Sequence, residues 1–163
     1  MKLFYNEISS VVGKLMIVAN EQALVAILWE NEKPHRVPLD GMIKNKNHPI
    51  IQETEKQLDE YFTHKRTSFE IPLDLTGTDF QKKVWEELAT IPYGTTVSYA
   101  QLAKQIGRPE SARPLGAAVG KNPISIVIPC HRVIGTNGQL TGFAGGLKTK
   151  AFLLDLEKRC IGL

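Results

Sequence analysis

Only two cysteines, Cys130 and Cys160, occur in the 163 residues. That is too few for a disulfide scaffold or a cluster of metal-binding thiolates, and it points to a reducing, cytoplasmic compartment. No apolar run approaches the roughly eighteen residues that a membrane-spanning helix needs. The opening residues, Met1 to Glu7, lack the continuous apolar segment of a secretory signal. The N-terminal half has no cysteine and no acidic pair that stands out. Its histidines, His35, His48 and His64, are scattered and read as surface residues. Acid is also scarce from Ile91 to Thr149, where Glu110 stands alone against Lys104, Arg108, Arg113, Lys121, Arg132 and Lys148. Such a segment suits a polyanion, although a solvated basic face gives the same count.

What is present is ordinary for a globular chain: 42% apolar and 23% charged residues, enough for one domain or two small ones with a core. Charge is divided unevenly. Residues 1–76 hold nine Lys and Arg against eleven Asp and Glu, a balance of −2, whereas residues 77–163 hold eleven against six, a balance of +5. The composition changes near Thr76-Gly77, which predicts a support domain over 1–76 and a functional domain over 77–163.

Apolar-rich runs at Lys2 to Ile8, Lys14 to Asn20 and Ala23 to Glu30, separated by turn residues, predict a small antiparallel sheet. Asn31 to Asn47 reads as loop, with Pro34, Pro38 and Gly41. Ile50, Ile51, Thr54, Leu58, Tyr61 and Phe62 recur at helical spacing and predict a helix from Pro49 to Thr63. Phe69 to Leu73 has the composition of a further short strand. In the second half, Thr78-x-x-Gln81 is a capping box opening a helix over Asp79 to Thr90, with a stripe of Phe80, Val84, Trp85 and Leu88. Ser98-x-x-Gln101 opens a second, over Tyr99 to Ile106, and Gly107 supplies the left-handed residue past its end. A third should run from Ser111 to Lys121, with Pro114 in its first turn. The final helix is expected over Lys148 to Arg159, with Phe152, Leu153, Leu156 and Cys160 inward. Asn137-Gly138 signals a type I′ hairpin within 133–141. The whole predicts an α+β fold: a small N-terminal antiparallel sheet with one helix, then a C-terminal helical domain.

The second and third helices of that domain form a helix-turn-helix. Its recognition helix lacks the Asn, Gln and Arg rows that read base edges in a major groove. Gly116, Ala117, Ala118 and Gly120 give it a smooth face, and Arg113 is the one long side chain in its first turn. Such a face suits close backbone approach to a narrow groove; packing against another helix would use the same small residues.

Chemistry converges on Ile128-Pro129-Cys130-His131-Arg132-Val133, the one place where cysteine and histidine are adjacent. A thiol attacks as thiolate, and a free cysteine with pKa about 8.5 is mostly protonated near neutrality. His131 supplies a base, yet neighbours on a strand face opposite ways. Pro129 therefore predicts a turn or helix start at Cys130, with the contact running through a water. Arg132 adds positive potential. Glu157 is the best group to orient the imidazole, and Asp155, on the other side of the same helix, competes with it. Cys160 has no such neighbours and reads as structural.

These residues resemble the O6-alkylguanine-DNA alkyltransferases, the methylated-DNA–protein-cysteine methyltransferases. Besides Pro129-Cys130-His131-Arg132-Val133, the resemblance rests on Pro92-Tyr93-Gly94-Thr95-Thr96-Val97-Ser98-Tyr99, Ser111-Ala112-Arg113, Asn122-Pro123, Gly145-Gly146-Leu147 and Glu157. It covers about residues 78–158 well and the N-terminal part only in architecture. It implies a ribonuclease H-like N-terminal domain and a winged-helix-like C-terminal one carrying an active-site cysteine loop. It also implies double-stranded DNA with alkylated bases as the partner, bound through the minor groove, with the damaged guanine flipped out. Arg113 would fill the gap, and Ser98, Tyr99, Ala112, Gly116 and Ala117 would meet the DNA. Cys130, activated by His131 and Glu157, would take the alkyl group irreversibly, once per molecule. Tyr99 would give a proton to the leaving guanine, and Asn122 would tie the active-site turn to the recognition helix. Val133, Phe143, Ala144 and Gly145 would form the base pocket. O4-methylthymine is an expected second substrate. No cofactor is implied. Some members carry zinc on N-terminal cysteines and histidines; none is expected here. A monomer is expected, since no self-complementary apolar stripe is evident. Two other readings remain for the residues alone: a helix-turn-helix regulator with a structural cysteine, and a Cys–His hydrolase or acyltransferase.

Overall fold

The structure, a computed structural model, describes residues 2–161 and the side chains of residues 2–159. The chain divides into two compact units, Met1–Leu75 and Thr76–Leu163.

In the first unit β1 (Leu3–Ser10), β2 (Gly13–Ala19) and β3 (Leu24–Trp29) form a meander, and with β4 (Met42–Lys44) they make one sheet in the order β3-β2-β1-β4. The apolar runs place Leu15, Ile17, Val18, Leu24, Ala26 and Ile27 out of solvent. Two expectations fail here. The stretch read as loop contains a strand, β4 (Met42–Lys44), which pairs parallel to β1 with Leu3 opposite Met42. The sheet is therefore mixed, not purely antiparallel. Three residues, two of them exposed, are too short to show a period of two. Conversely, Phe69 to Leu73 makes only a bridge between Leu73 and Leu24. Pro72 has no N–H to donate to a ladder. The preceding backbone is instead held by Gln57, which donates to the Glu70 carbonyl and accepts from the Glu70 N–H.

Helix α1 (Pro49–Phe62) starts where His48 Nδ1 accepts from the Ile50 N–H at 3.1 Å, with Pro49 in the first turn. It buries Ile51, Thr54, Leu58 and Tyr61. His48 is thus a buried cap, contrary to the surface role expected of it; His35 and His64 are exposed.

The second unit opens with α2 (Asp79–Leu88), its capping box formed by Thr78 and Gln81 as the spacing requires. Val84, Trp85 and Leu88 are buried, and the Trp85 indole donates to the Ala118 carbonyl at 2.9 Å. A short strand, β5 (Val97–Ser98), pairs parallel with β6 (Val133–Ile134). It leads into α3 (Tyr99–Gln105), opened by the Ser98/Gln101 capping box and followed by Gly107 at φ 77°. Helix α4 (Ala112–Gly120) follows, and the unit closes with α5 (Leu147–Ile161). On α5 Leu153 and Leu156 are buried as expected, but Phe152 is 41% exposed, not inward. The side chain of Cys160 lies outside the described residues.

The Asn137-Gly138 turn also differs. Gly138 has φ 82° while Asn137 is not among the positive-φ residues, and Gly138 N–H bonds to the Gly135 carbonyl. With the Gly135 N–H bonded to the Gln139 carbonyl, this is a type I turn followed by a left-handed glycine, the common three-residue hairpin loop, and not a type I′ turn.

Candidate active site

The path into Cys130 is a tight coil, although its composition (Ile124 to Ile128) has the look of a strand. Asn122, fully buried, donates its side-chain amide to the Ile128 carbonyl at 2.8 Å and accepts from the Ile124 N–H at 3.0 Å. The Ile128 N–H returns to the Ile124 carbonyl. Closing so small a loop drives Ile126 to φ 74°, a region β-branched residues avoid. Such strain persists only where the surroundings impose it; here Ile126 is buried and the loop is tied at both ends.

A single 3-10 turn then spans Cys130–Arg132. With three residues per turn, its side chains leave the backbone in three directions. This relieves the objection that adjacent strand residues face apart. Cys130 is 6% exposed and His131 is fully buried.

Glu157 of α5 is the hub. Its Oε2 lies 2.6 Å from His131 Nε2 and accepts from Arg132 Nη2 at 3.0 Å. Its Oε1 accepts from Arg132 Nε at 2.8 Å and from the Gly94 N–H at 3.2 Å. Burial alone would push this carboxyl up, but the hydrogen bonds from His131 and Arg132, and their charges, hold it down at about 2. An ionised carboxylate can only accept, so His131 carries its proton on Nε2 when neutral. Burial keeps the imidazole below its ordinary value, against the pull of Glu157. Its other nitrogen, Nδ1, is buried with no hydrogen-bond partner among the described residues. The site therefore holds a neutral imidazole, anchored at one nitrogen, with a lone pair on the other, beside a thiol.

Asp155, the competing carboxylate, is on the exposed side of α5 and pairs with Arg159 at 2.9 Å. Arg132 is not a free positive field for the thiol: its charge is matched by Glu157, and its Nη1 donates to the Ile91 carbonyl. A cation coupled electrostatically to Cys130 is Lys150, 1% exposed, whose ammonium is pushed down by burial and raised in part by that thiolate. Its Nζ donates to the Thr141 carbonyl at 3.3 Å. Sequence reasoning missed it, though the signal was there: Lys150, Leu153 and Glu157 share one face of α5 at helical spacing.

Tyr99 is the first residue of α3, half-buried, and its hydroxyl accepts from Thr141 Oγ1 at 2.9 Å. Val133 is buried, while Phe143, Ala144 and Gly145 are half-buried in the loop before α5. Arg113, Ala112 and Ala117 are exposed on α4, and Gly116 is half-exposed. A Cβ built on Gly116 or Gly120 would meet nothing within 4 Å, so packing within the chain does not require these glycines. Among the described residues the Arg113 side chain has no hydrogen bond or ion pair. Ser98 is half-buried and engaged as the cap of α3. Among the described residues no group of three or more His, Cys, Asp or Glu could hold a metal ion, and no helix is long and apolar enough to cross a membrane.

Comparison with known proteins places this geometry among relatives. Residues 3–75 match the family "6-O-methylguanine DNA methyltransferase, ribonuclease-like domain", and residues 79–159 match "6-O-methylguanine DNA methyltransferase, DNA binding domain". The chain is 44% identical over 157 residues to a methylated-DNA–protein-cysteine methyltransferase of Methanosarcina barkeri, covering 96% of this chain and 98% of that one. It is 42% identical over 161 residues to the protein of that name from Mycobacterium tuberculosis, covering 96% and 93%. The crystal structure of Mycobacterium tuberculosis OGT in complex with DNA superposes with a TM-score of 0.89 at 41% identity, covering 96% and 94%.

Proposed function

The chain belongs to the methylated-DNA–protein-cysteine methyltransferase family, a transferase acting in direct DNA repair with its own cysteine as acceptor, and from that premise we propose how its residues carry the reaction. Cys130 is the acceptor, His131 its base and Glu157 the group that orients the base. The observation that carries this reading is the buried His131 ring, bonded at Nε2 to Glu157 and unpartnered at Nδ1. A ring held this way can take a proton only at Nδ1, and the neighbouring thiol is the group that needs to lose one.

The target is O6-alkylguanine in duplex DNA, with O4-methylthymine as a second substrate. A stacked base keeps its O6 substituent out of reach, so the base must leave the helix. The smooth face of α4, with Ala112, Gly116 and Ala117, lies in the minor groove. Its glycines have no role in packing the chain, which fits close approach by a partner. Arg113, exposed and without an internal partner, fills the gap left by the base. Ser98 and Tyr99 meet the backbone beside it. The flipped base enters the pocket of Val133, Phe143, Ala144 and Gly145.

In the transfer, the Cys130 proton passes to His131 Nδ1 through a water. Thiolate sulfur attacks the alkyl carbon, the S–C bond forms and the C–O6 bond breaks. The electron pair leaves with the guanine, which takes a proton from Tyr99. Lys150, coupled to the thiolate, favours its formation. A thioether is stable, so the molecule reacts once. The domain of residues 77–163 performs this chemistry, residues 1–76 support it, and the protein acts as a cytoplasmic monomer.

The test is Cys130→Ala: methyl transfer from a duplex containing O6-methylguanine disappears while affinity for that duplex stays close to wild type. A Cys130→Ala protein that still removes the methyl group contradicts the assignment.

A further inference from the structure

Tyr99 needs its hydroxyl aimed at the base, yet nothing in its own helix aims it. As the first residue of α3 it is fixed at the backbone by the Ser98/Gln101 capping box. Its side chain is half-buried and would otherwise rotate. Its hydroxyl accepts a hydrogen bond from Thr141, forty-two residues on, whose Oγ1 donates at 2.9 Å. Thr141 is held in turn. Its carbonyl accepts from Lys150 Nζ at 3.3 Å, and Lys150 is 1% exposed on α5. Its β-branched side chain has few rotamers to choose among. Gly142 follows directly, so Thr141 is the last side chain before the loop of Phe143, Ala144 and Gly145.

We propose that Thr141 is a positioning residue that aims the Tyr99 hydroxyl for proton transfer to the leaving base, a role that rests on the alkyl-transfer reading above. A phenol oxygen that accepts from Thr141 keeps its own O–H for another acceptor. When the C–O6 bond breaks and its electron pair leaves with the guanine, that proton moves from Tyr99 to the guanine. The phenolate left behind is the acceptor the Thr141 hydroxyl already faces, and a hydrogen bond to a charged oxygen is stronger than one to a neutral oxygen. Thr141 therefore contributes more after proton transfer begins than before it. It should alter the rate of transfer and leave DNA affinity unchanged. Because its carbonyl is bonded to Lys150, Thr141 also ties Tyr99 to the helix that carries Glu157.

The experiment is single-turnover methyl transfer from duplex DNA containing O6-methylguanine to the full chain, with DNA affinity measured alongside. The proteins are wild type, Thr141→Val, Thr141→Ser, Tyr99→Phe and the Thr141→Val/Tyr99→Phe double variant. Thr141→Val, which keeps the shape and loses the donor, should slow transfer roughly tenfold at saturating protein with unchanged affinity. Thr141→Ser should stay within about twofold of wild type. The double variant should be no slower than Tyr99→Phe, because Thr141 acts only through that hydroxyl. A Thr141→Val protein with the wild-type rate overturns the proposal, and so does the same loss in both backgrounds, which marks a merely structural role. A wild-type protein that leaves the methyl group on DNA overturns the alkyl-transfer reading itself, and this result is distinct from a wild type that transfers with additive variants.

Discussion

His131 Nε2 and Glu157 Oε2 lie 2.6 Å apart with both side chains closed to solvent. The contact fixes which imidazole nitrogen carries the proton and leaves the other, Nδ1, with its lone pair unpartnered among the described residues. Glu157→Gln preserves the shape and removes the charge. It leaves the Arg132 guanidinium buried without its counter-charge. Breaking one side of a buried ion pair costs on the order of 3–5 kcal/mol, and a misassigned tautomer costs roughly a hundredfold or more in rate. Glu157→Gln should lose both stability in urea and transfer activity. Asp155→Asn, altering an exposed carboxylate paired only with Arg159, should leave both near wild type.

Acid should destabilise the protein in two stages. Folded His131 titrates below its ordinary value because burial disfavours the imidazolium. The unfolded chain then binds a proton that the folded chain refuses, so stability falls once pH drops below about 6.5. Glu157, held down at about 2 by His131 and Arg132, stabilises fully above the unfolded carboxyl value of about 4.3 and loses that contribution as pH falls toward its folded value. Urea unfolding between about pH 8 and about pH 3 should show both losses, and His131→Gln should remove the upper one. Transfer should begin to fall only at a pH below the ordinary imidazole value of about 6.5, since burial delays protonation of the base. A rate that falls with a midpoint above about 6.5 contradicts a buried neutral base.

Gly116 separates the needs of the fold from those of binding. A side chain there meets nothing in the chain, and glycine inside a helix costs about 0.5–1 kcal/mol against alanine. Gly116→Ala should therefore raise thermal stability slightly, and Gly116→Leu should leave it near wild type. Both should weaken binding to duplex DNA, leucine more strongly, in a mobility-shift or anisotropy titration. Arg113→Ala should reduce repair more than it reduces stability, for the same reason.

Asn122 is the opposite case, a residue needed by the fold of the site. Asn122→Ala leaves the Ile124 N–H buried without its acceptor and the Ile128 carbonyl with the Cys130 N–H alone. The expected loss is about 1–3 kcal/mol in urea unfolding. The strained turn at Ile126 should relax, and Cys130 should lose its placement and its reactivity.

The helices of the second unit were legible because capping boxes and apolar stripes are local. Thr78/Gln81 and Ser98/Gln101 mark both starts to the residue. What escaped depends on long-range partners. The strand at Met42–Lys44 exists only because β1 offers an edge, and the segment before Leu73 is not a strand because Gln57 takes its place. Pro129 gave fair warning of a turn at Cys130, but no local pattern forecasts the coil of Asn122 to Ile128, which a side-chain amide closes. At the site, Cys130 and His131 were visible by adjacency. Arg132 was misjudged, because its counter-ion comes from twenty-five residues away, and Lys150 and Thr141 look like ordinary surface residues until the loop folds over them.

The most direct test of the account is the mass of the protein after incubation with duplex DNA containing O6-methylguanine, followed by peptide mapping. The expected result is a gain of one methyl group on the peptide containing Cys130, at a limit of one per molecule, with unmodified guanine left in the DNA. Protein that binds the duplex and keeps an unchanged mass, or that releases methyl repeatedly with Cys130 intact, would contradict it.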